Sequence, residues 1–209
     1  MTGGVNLNKG TFISIEGLDT AGKSTQAELL ANKLIMDGYN VKVIHFPNYC
    51  GEIGKLILKH LKGECKSNME SLQMLYVADQ MAMKEHIEEL IYNNFVVICD
   101  RYDLSTAVYY GSSVNDSVEG FKYIYNNLQK NLLKPVMTFI IDLPVEEISK
   151  RKSELDVFES NEKFMETNRA LYSIASNVIF DKRVIVEIDG TKSVSDIENA
   201  IYDKVKESL

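Results

Sequence analysis

Residues 11–26 read T-F-I-S-I-E-G-L-D-T-A-G-K-S-T-Q, and this stretch decides the fold. Residues 11–16 are rich in β-branched and aromatic side chains, which predicts a buried strand. The next eight residues, Gly17 to Ser24, match the phosphate-loop pattern G-x-x-x-x-G-K-[S/T]. Residues 24–36 then have helical periodicity. A strand, a glycine-containing loop and a helix in this order bring backbone N–H groups and the positive end of the helix onto one phosphate.

The loop motif predicts an ATP site with bound magnesium. Lys23 is expected to reach the β- and γ-phosphates, and Ser24 to offer its hydroxyl to Mg²⁺. The alternative is a glycine-containing turn with a surface lysine, and the strand-to-helix context favours the ATP site. The residues assigned to the nucleotide are Gly17, Leu18, Asp19, Thr20, Ala21, Gly22, Lys23, Ser24 and Thr25.

Strands and helices alternate along the rest of the chain. Further strands are predicted at 41–46, 95–99, 136–141 and 184–188. Further helices are predicted at 53–61, 69–91, 118–132, 145–151, 162–177 and 194–209. The alternation predicts an α/β fold, with a five-stranded parallel sheet covered by helices on both faces. Ligands of such sheets bind beyond the carboxyl ends of the strands, so Asp100, Arg101 and Asp142 are expected to join the loop at one edge.

Length and composition limit the classes of function. A chain of 209 residues fits a single domain, 1–209. The net charge of −7 argues against a nucleic-acid-binding surface. The longest apolar runs have the length of a strand, and the first residues lack a basic start and an apolar signal core. We therefore expect a soluble, cytoplasmic protein that does not bind membranes.

Two further segments are candidates for catalysis. Asp100 could hold magnesium or orient the acceptor, and Arg101 could bridge the donor and acceptor phosphates. The alternative for this pair is a salt-bridged loop. Arg151 and Lys152 begin a polar stretch, and basic residues there could close over transferring phosphates. The alternative for these two is a solvated, charged helix end.

Three residues are candidates for holding an acceptor. Phe46 could form a pocket wall, although a strand-end core aromatic is equally consistent with the sequence. Tyr76 and Gln80 share one face of a predicted helix, where a stacking ring beside an amide could read a base. A stripe of core side chains is the alternative for this pair.

Five motifs together resemble the thymidylate kinase family of P-loop nucleoside monophosphate kinases, nearly from end to end. They are the opening stretch 12–26, F-P at 46–47, D-R-Y-x-x-S at 100–105, L-D-x-F-E at 155–159 and I-D-G at 188–190. The resemblance implies a three-layer P-loop kinase fold with a short lid at about 150–161. It also implies ATP-dependent, magnesium-dependent phosphorylation of dTMP to dTDP, and a homodimer.

The resemblance also implies roles for individual residues. Asp100 and Arg101 would face both phosphates, and Asp100 and Ser24 would hold the metal. Phe46 would border the deoxyribose, and Tyr76 would stack on thymine. The acceptor site as a whole would comprise Asp19, Phe46, Tyr49, Tyr76, Gln80, Arg101, Ser105 and Tyr109.

The chain departs from the family pattern at three positions. Gln80 stands where the family usually has an arginine, Tyr49 where it often has one, and Val157 where a lid arginine is common. A kinase for another deoxynucleoside monophosphate is therefore an open alternative. A nucleotide-regulated binding protein is a more remote one, since D-R-Y-x-x-S is present and a base-reading N-K-x-D is absent.

Overall fold

The computed structural model describes residues 10–65, 68–151, 161–179 and 181–209. The strands are β1 (Thr11–Gly17), β2 (Asn40–His45), β3 (Phe95–Asp100), β4 (Met137–Asp142) and β5 (Val184–Asp189). The helices are α1 (Lys23–Met36), α2 (Glu52–Leu61), α3 (Met69–Ala82), α4 (Lys84–Tyr92), α5 (Asp103–Ser112), α6 (Ser117–Tyr123), α7 (Val145–Arg151), α8 (Glu162–Ser173), α9 (Ala175–Val178) and α10 (Val194–Lys206).

The five strands form one sheet in the order β2-β3-β1-β4-β5, with every neighbouring pair parallel. The predicted five-stranded parallel sheet is therefore confirmed. The strand β1 lies at the centre, and the chain leaves it first toward β2 and later toward β4 on the other side. Parallel sheets bind ligands at such a reversal, beyond the carboxyl ends of the strands.

Helices cover both faces of the sheet. Successive residues of a strand point to opposite faces, and Phe12 and Ile13 accordingly belong to two different apolar clusters. The larger cluster packs α1 and α10 against the sheet, and the smaller one contains Ile87 of α4. The polar Ser14 lies buried in the centre, where its hydroxyl hydrogen-bonds that of Thr138 at 2.8 Å.

The phosphate-binding loop depends on two glycines for different reasons. A Cβ atom on Gly17 would lie 2.5 Å from the carbonyl oxygen of Ile141, so only glycine lets β1 run this close to β4. Gly22 has open space around it but a φ of 94°, which side-chain-bearing residues rarely adopt. It precedes Lys23, where α1 begins, and so turns the chain from loop into helix.

Several helix predictions differ from the structure. The sequence analysis left α5 unassigned, because its sequence D-L-S-T-A-V-Y-Y-G-S is rich in β-branched and aromatic residues that favour strands. The helix predicted at 69–91 is two helices, α3 and α4. The one predicted at 118–132 is α6 followed by a π-helical turn at Ile124–Leu128, and the one at 162–177 is α8 and α9. Local periodicity does not reveal such interruptions.

Residues 152–160 lie outside the described part of the chain, so most of the lid predicted at 150–161 does too. Lys152, Val157 and the L-D-x-F-E motif are among them. Within the ranges given above, no helix is both long and apolar enough to cross a membrane.

A buried ion pair joins α5 to the start of β5. Arg183 donates two hydrogen bonds to the carboxylate of Asp103, at 3.0 and 2.7 Å, and both side chains are almost completely buried. Lys134 also donates to Asp103, at 3.2 Å, but its side chain is 25% exposed. Burial alone would raise the pKa of Asp103, and these cations hold it below its ordinary value instead.

Replacing Arg183 should destabilise the fold far more than replacing Lys134. Arg183→Met leaves the buried Asp103 carboxylate short of its main partner, which typically costs about 3–5 kcal/mol. Lys134→Met removes a partly exposed partner and should cost about 1 kcal/mol. Urea unfolding of both variants would measure the two losses. Equal losses would show that the Asp103–Arg183 pair does not anchor α5.

Candidate nucleotide site

Lys23 lies inside the phosphate-binding loop. Its side chain is almost completely buried, and Nζ donates to the carbonyl oxygen of Leu18 at 2.5 Å. Burial and the nearby Arg101 charge lower the pKa of Lys23 from 10.5 to about 8, against the opposing effect of Asp19. The helix α1 starts here with a glycine N-cap and no acidic residue in its first turn, so neither a capping side chain nor a carboxylate of that turn competes for an anion.

Ser24 and Asp100 meet at the carboxyl edge of the sheet. The Ser24 hydroxyl donates to Asp100 Oδ2 at 2.5 Å, and His45 Nδ1 lies 3.0 Å from the same oxygen. A hydroxyl and a carboxylate are ligands that Mg²⁺ accepts, and this ion usually keeps several waters and substrate phosphates as its other ligands. The described residues contain no group of three or more His, Cys, Asp or Glu side chains suited to hold a metal. This donor set therefore fits a phosphate-bound magnesium ion.

Arg101 has an unusual backbone and a crowded side chain. Its φ is 65°, which costs a non-glycine residue roughly 1–3 kcal/mol. Its backbone N–H donates to the carbonyl oxygen of Ile15 at 3.0 Å. The guanidinium donates to Gly17 O at 3.2 Å, to Ser105 Oγ at 3.0 Å and to Asp19 Oδ1. The strained backbone thus directs the arginine that follows β3 across the end of β1.

Asp19 links the phosphate-binding loop to α5. One carboxylate oxygen accepts from Arg101, and the other accepts from the Tyr109 hydroxyl at 2.8 Å. Burial alone would raise the pKa of Asp19, but the positive charges of Arg101 and Lys23 hold it well below 3.8. The Asp19 carboxylate is therefore ionised throughout the physiological pH range.

Glu16 is a fully buried carboxyl directly behind Arg101. It accepts from the Tyr102 backbone N–H at 2.8 Å and from the Ser105 hydroxyl at 2.6 Å. The Ser105 hydroxyl also lies 2.9 Å from that of Tyr172. Burial raises the pKa of Glu16 from 4.5 to about 7, although both hydrogen bonds favour the ionised form.

A cavity of about 170 Å³ opens beside this network. Eight residues assigned to the acceptor from the sequence line it together: Asp19, Phe46, Tyr49, Tyr76, Gln80, Arg101, Ser105 and Tyr109. They come from the segments that follow β1, β2 and β3 and from the helices α3 and α5, which are distant in sequence. Phe46 packs against Tyr102 with ring centroids 5.5 Å apart.

Three hydrogen bonds fix α3 against its neighbours at this cavity. The Asp79 carboxylate accepts from the backbone N–H of Asn48 at 2.7 Å, which attaches the loop after β2. The next residue, Gln80, donates from Nε2 to Tyr102 O at 2.9 Å and to Thr106 Oγ1 at 3.0 Å, which attaches α5. These hydrogen bonds therefore connect the walls of the cavity to one another.

Known proteins that resemble this chain in sequence carry the same family name. A family model for thymidylate kinase matches residues 15–201. The chain belongs to the thymidylate kinase family. A thymidylate kinase from Plasmodium falciparum is 32% identical over 197 residues, covering 94% of this chain and 90% of that protein. A probable thymidylate kinase from Methanosphaera stadtmanae is 31% identical over 202 residues, covering 95% and 96%.

A solved structure from the same family has the same fold. It is a thymidylate kinase from Candida albicans, with a TM-score of 0.78 and 28% identity, covering 96% of this chain and 92% of that one. That enzyme is described as having a broad substrate specificity and a novel structural element. The P-loop kinase fold and the family predicted from the sequence are confirmed, and the family is one of ATP-binding transferases.

Some residues predicted from the sequence lie away from the cavity. Arg151, at the end of α7, donates to the carbonyl oxygen of Gly190 at 2.9 Å and so contacts the I-D-G motif. Asp142 lies at the expected edge, because it follows Ile141, the partner of Gly17 in the sheet, but its carboxylate forms a two-bond ion pair with Arg169 of α8 in a second depression. Its charge is thus already paired.

The sequence analysis missed several residues of the site. Glu16 has a visible signal, a charged residue near the end of a mostly apolar strand, but its partners Tyr102 and Ser105 lie far along the chain. Gln73 and Thr106 also line the cavity. His45 lies within hydrogen-bonding distance of Asp100, its partner in the pairing of β2 with β3. No local pattern reveals these contacts, because they depend on the packing of α3, α5 or α8 and, for His45, on the pairing of β2 with β3.

In this member of the thymidylate kinase family, Glu16 should make stability depend on pH. The raised pKa means that the folded state holds the proton more tightly than the unfolded state. The resulting stabilisation is complete below pH 4.5 and is lost as the pH rises to about 7. Because Glu16→Gln lacks this loss, its stability relative to wild type should rise by roughly 2 kcal/mol between pH 5 and 8.

Chemical denaturation at several pH values would measure this difference. Glu89→Gln, a change at an exposed position of α4 beyond its first turn, is the matched control for the loss of a buried carboxyl and should give a much smaller change. A flat difference for Glu16→Gln would show that Glu16 is ionised across the whole range.

Proposed function

We propose that the protein is a thymidylate kinase, which transfers the γ-phosphoryl group of ATP to dTMP and forms ADP and dTDP. The observation that carries this proposal is the position of Arg101, whose guanidinium contacts both the phosphate-binding loop and the lining of the cavity. Membership of the thymidylate kinase family supports the same reaction.

The phosphates of ATP bind in the loop formed by residues 17–25. Lys23 exchanges the Leu18 carbonyl for phosphate oxygens, a stronger partner because the new hydrogen bond joins two charges. The N–H groups at the start of α1 face the same position. Ser24 and Asp100 would hold a magnesium ion, which would neutralise part of the phosphate charge.

The acceptor nucleotide occupies the cavity. Tyr76 stacks on the base, Phe46 borders the deoxyribose, and Asp19, Tyr49, Ser105 and Tyr109 complete the site. Gln80 approaches the edge of the base from one helical turn beyond Tyr76. The hydrogen bonds made by Asp79 and Gln80 hold the walls of the cavity in place before the substrate binds.

The chemical step needs little covalent work from the protein. A phosphate oxygen of dTMP attacks the γ-phosphorus, and the bond from that phosphorus to the β-bridging oxygen breaks, so that ADP leaves with the electron pair. Arg101 lies between the two phosphates and stabilises the charge that develops on the transferring group. Arg151 and Lys152 are the lid residues that would exclude water.

The rival function is a kinase for another deoxynucleoside monophosphate. Gln80 and Tyr49 motivate it, and the broad specificity described for the Candida albicans enzyme makes it worth a direct test. Release of ADP should be measured with MgATP and a panel of deoxynucleoside monophosphates, with Lys23→Ala as the inactive control. We expect dTMP to give the highest kcat/KM. Turnover of another nucleotide alone supports the rival, and no turnover with any acceptor would indicate a nucleotide-regulated binding protein.

Arg101→Lys should lower kcat by more than about tenfold while the fold is kept. Lysine retains the charge but loses the planar, two-pronged donor that can hold two phosphates at once. The control is Arg169→Lys, which alters another two-bond ion pair with a carboxylate, in the second depression, and should leave kcat near its wild-type value. Steady-state kinetics would measure both. An unchanged kcat for Arg101→Lys would reduce Arg101 to a structural ion pair.

A homodimer remains a prediction. It is supported by exposed apolar side chains on two helices that pack together, Leu56 of α2 and Met74 and Met81 of α3. Such side chains on adjacent helices offer an apolar face to a second copy of the chain. A cytoplasmic location and a single domain across 1–209 also remain predictions.

A further inference from the structure

Two carboxamide side chains of α3 carry unpaired oxygen atoms at the proposed acceptor cavity. Gln73 and Gln80 both line it, and they are 2% and 1% exposed. Among the described residues, Oε1 of neither has a hydrogen-bond partner. Buried polar atoms in native proteins are nearly always paired, so an unpaired one at a cavity wall is a candidate partner for a ligand.

The orientation of the Gln80 amide follows from its neighbours. Its Nε2 lies 2.9 Å from Tyr102 O and 3.0 Å from Thr106 Oγ1. A backbone carbonyl oxygen can only accept a hydrogen bond, so the NH₂ group must face it, and the reversed amide would bring two acceptors together. Both N–H bonds of the amide are then used within the protein. Only the acceptor oxygen remains for a ligand.

Gln73 differs in this respect. Its Nε2 lies 3.3 Å from the sulfur of Met69, which is a weak acceptor. This contact does not hold the amide in one orientation, so Gln73 can offer a ligand either a donor or an acceptor. The two glutamines lie on the same helix and line the same cavity. They differ in how firmly the orientation of the side-chain amide is held.

The nucleobases divide into two groups at the ring nitrogen of the pairing edge. Thymine and uracil carry a proton on N3, and guanine and hypoxanthine carry one on N1, so that this nitrogen is a donor. Cytosine N3 and adenine N1 have no proton and can only accept. An oxygen atom that can only accept a hydrogen bond therefore pairs with the protonated ring nitrogen of thymine, uracil, guanine or hypoxanthine. Against cytosine or adenine it faces a ring nitrogen that is itself an acceptor.

We propose that Gln80 Oε1 accepts a hydrogen bond from the protonated ring nitrogen of the acceptor base, so that the enzyme selects oxo bases, purines included, over amino bases. The proposal rests on the proposed function and extends it, because it predicts activity on 6-oxopurine as well as on 4-oxopyrimidine deoxynucleotides. An arginine at this position would only donate, and would read the carbonyl oxygen of the base instead.

Two pairs of nucleotides of nearly equal shape isolate this interaction. The members of the pair dUMP and dCMP differ in the polarity of N3 and of its neighbouring substituent, and those of the pair dIMP and dAMP differ in the same way at N1. We expect kcat/KM ratios of at least about 10² for dUMP over dCMP and for dIMP over dAMP, because an analogue that leaves a buried polar group unpaired is strongly rejected.

The variant Gln80→Met keeps the length of the side chain and removes its polarity. It should lower kcat/KM for dUMP and dIMP by about tenfold or more, change dCMP and dAMP little, and so reduce both ratios. The control Gln73→Met, on the same face of α3, should leave both ratios unchanged. Turnover of dTMP by the wild type, measured alongside, reports on the proposed function separately.

Each outcome decides the proposal. Reduced ratios in Gln80→Met alone support it, and unchanged ratios in that variant overturn it, even if dTMP is still phosphorylated. If Gln80→Met does not fold, the kcat/KM ratios of the wild type decide. Ratios near or below one would overturn the proposal, and ratios of about 10² for both pairs of nucleotides would support it. A wild type that phosphorylates no deoxynucleotide refutes the proposed function instead.

Discussion

The parallel pairing of β1 with β3 is the constraint on which the site depends. Ile15 lies opposite Asp100, and the backbone N–H of Arg101 donates to the Ile15 carbonyl oxygen as the ladder ends. This register places the phosphate-binding loop and the Asp100–Arg101 pair at neighbouring strand ends. A shift of one residue would turn these side chains to the other face of the sheet and separate the arginine from the loop.

Several charges lie close together at this edge with little exposure to water. Arg101 pairs with Asp19, Lys23 donates to a carbonyl oxygen, and Glu16 remains behind them with a raised pKa. Each charge is held in place by partners within the protein, so a phosphate entering the loop meets donors that are already oriented. Oriented donors need little rearrangement as charge develops, which is the main contribution that a protein makes to phosphoryl transfer.

The helix α5 shows how the fold connects binding with stability. Its Asp103 is held by Arg183 at the start of β5, its Ser105 accepts from Arg101, and its Thr106 accepts from Gln80. One element therefore positions the phosphate-facing arginine and also fixes the polarity of the glutamine at the cavity. Its Leu104, Ala107 and Val108 lie in the larger core cluster, and the aromatic residues that concealed the helix in the sequence, Tyr109 and Tyr110, pack against Phe164 of α8 and Tyr123 of α6.

The sequence by itself determined the sheet, the phosphate-binding loop and the family, because strand periodicity, glycine spacing and the order of motifs are local properties. It also named most of the residues around the cavity, through the family resemblance. Three features were decided by the tertiary structure alone. They are the strained backbone of Arg101, the burial of the Glu16 carboxyl and the unpaired oxygen of Gln80. Burial and hydrogen bonding depend on segments that are far apart in the chain and meet only when the helices pack against the sheet.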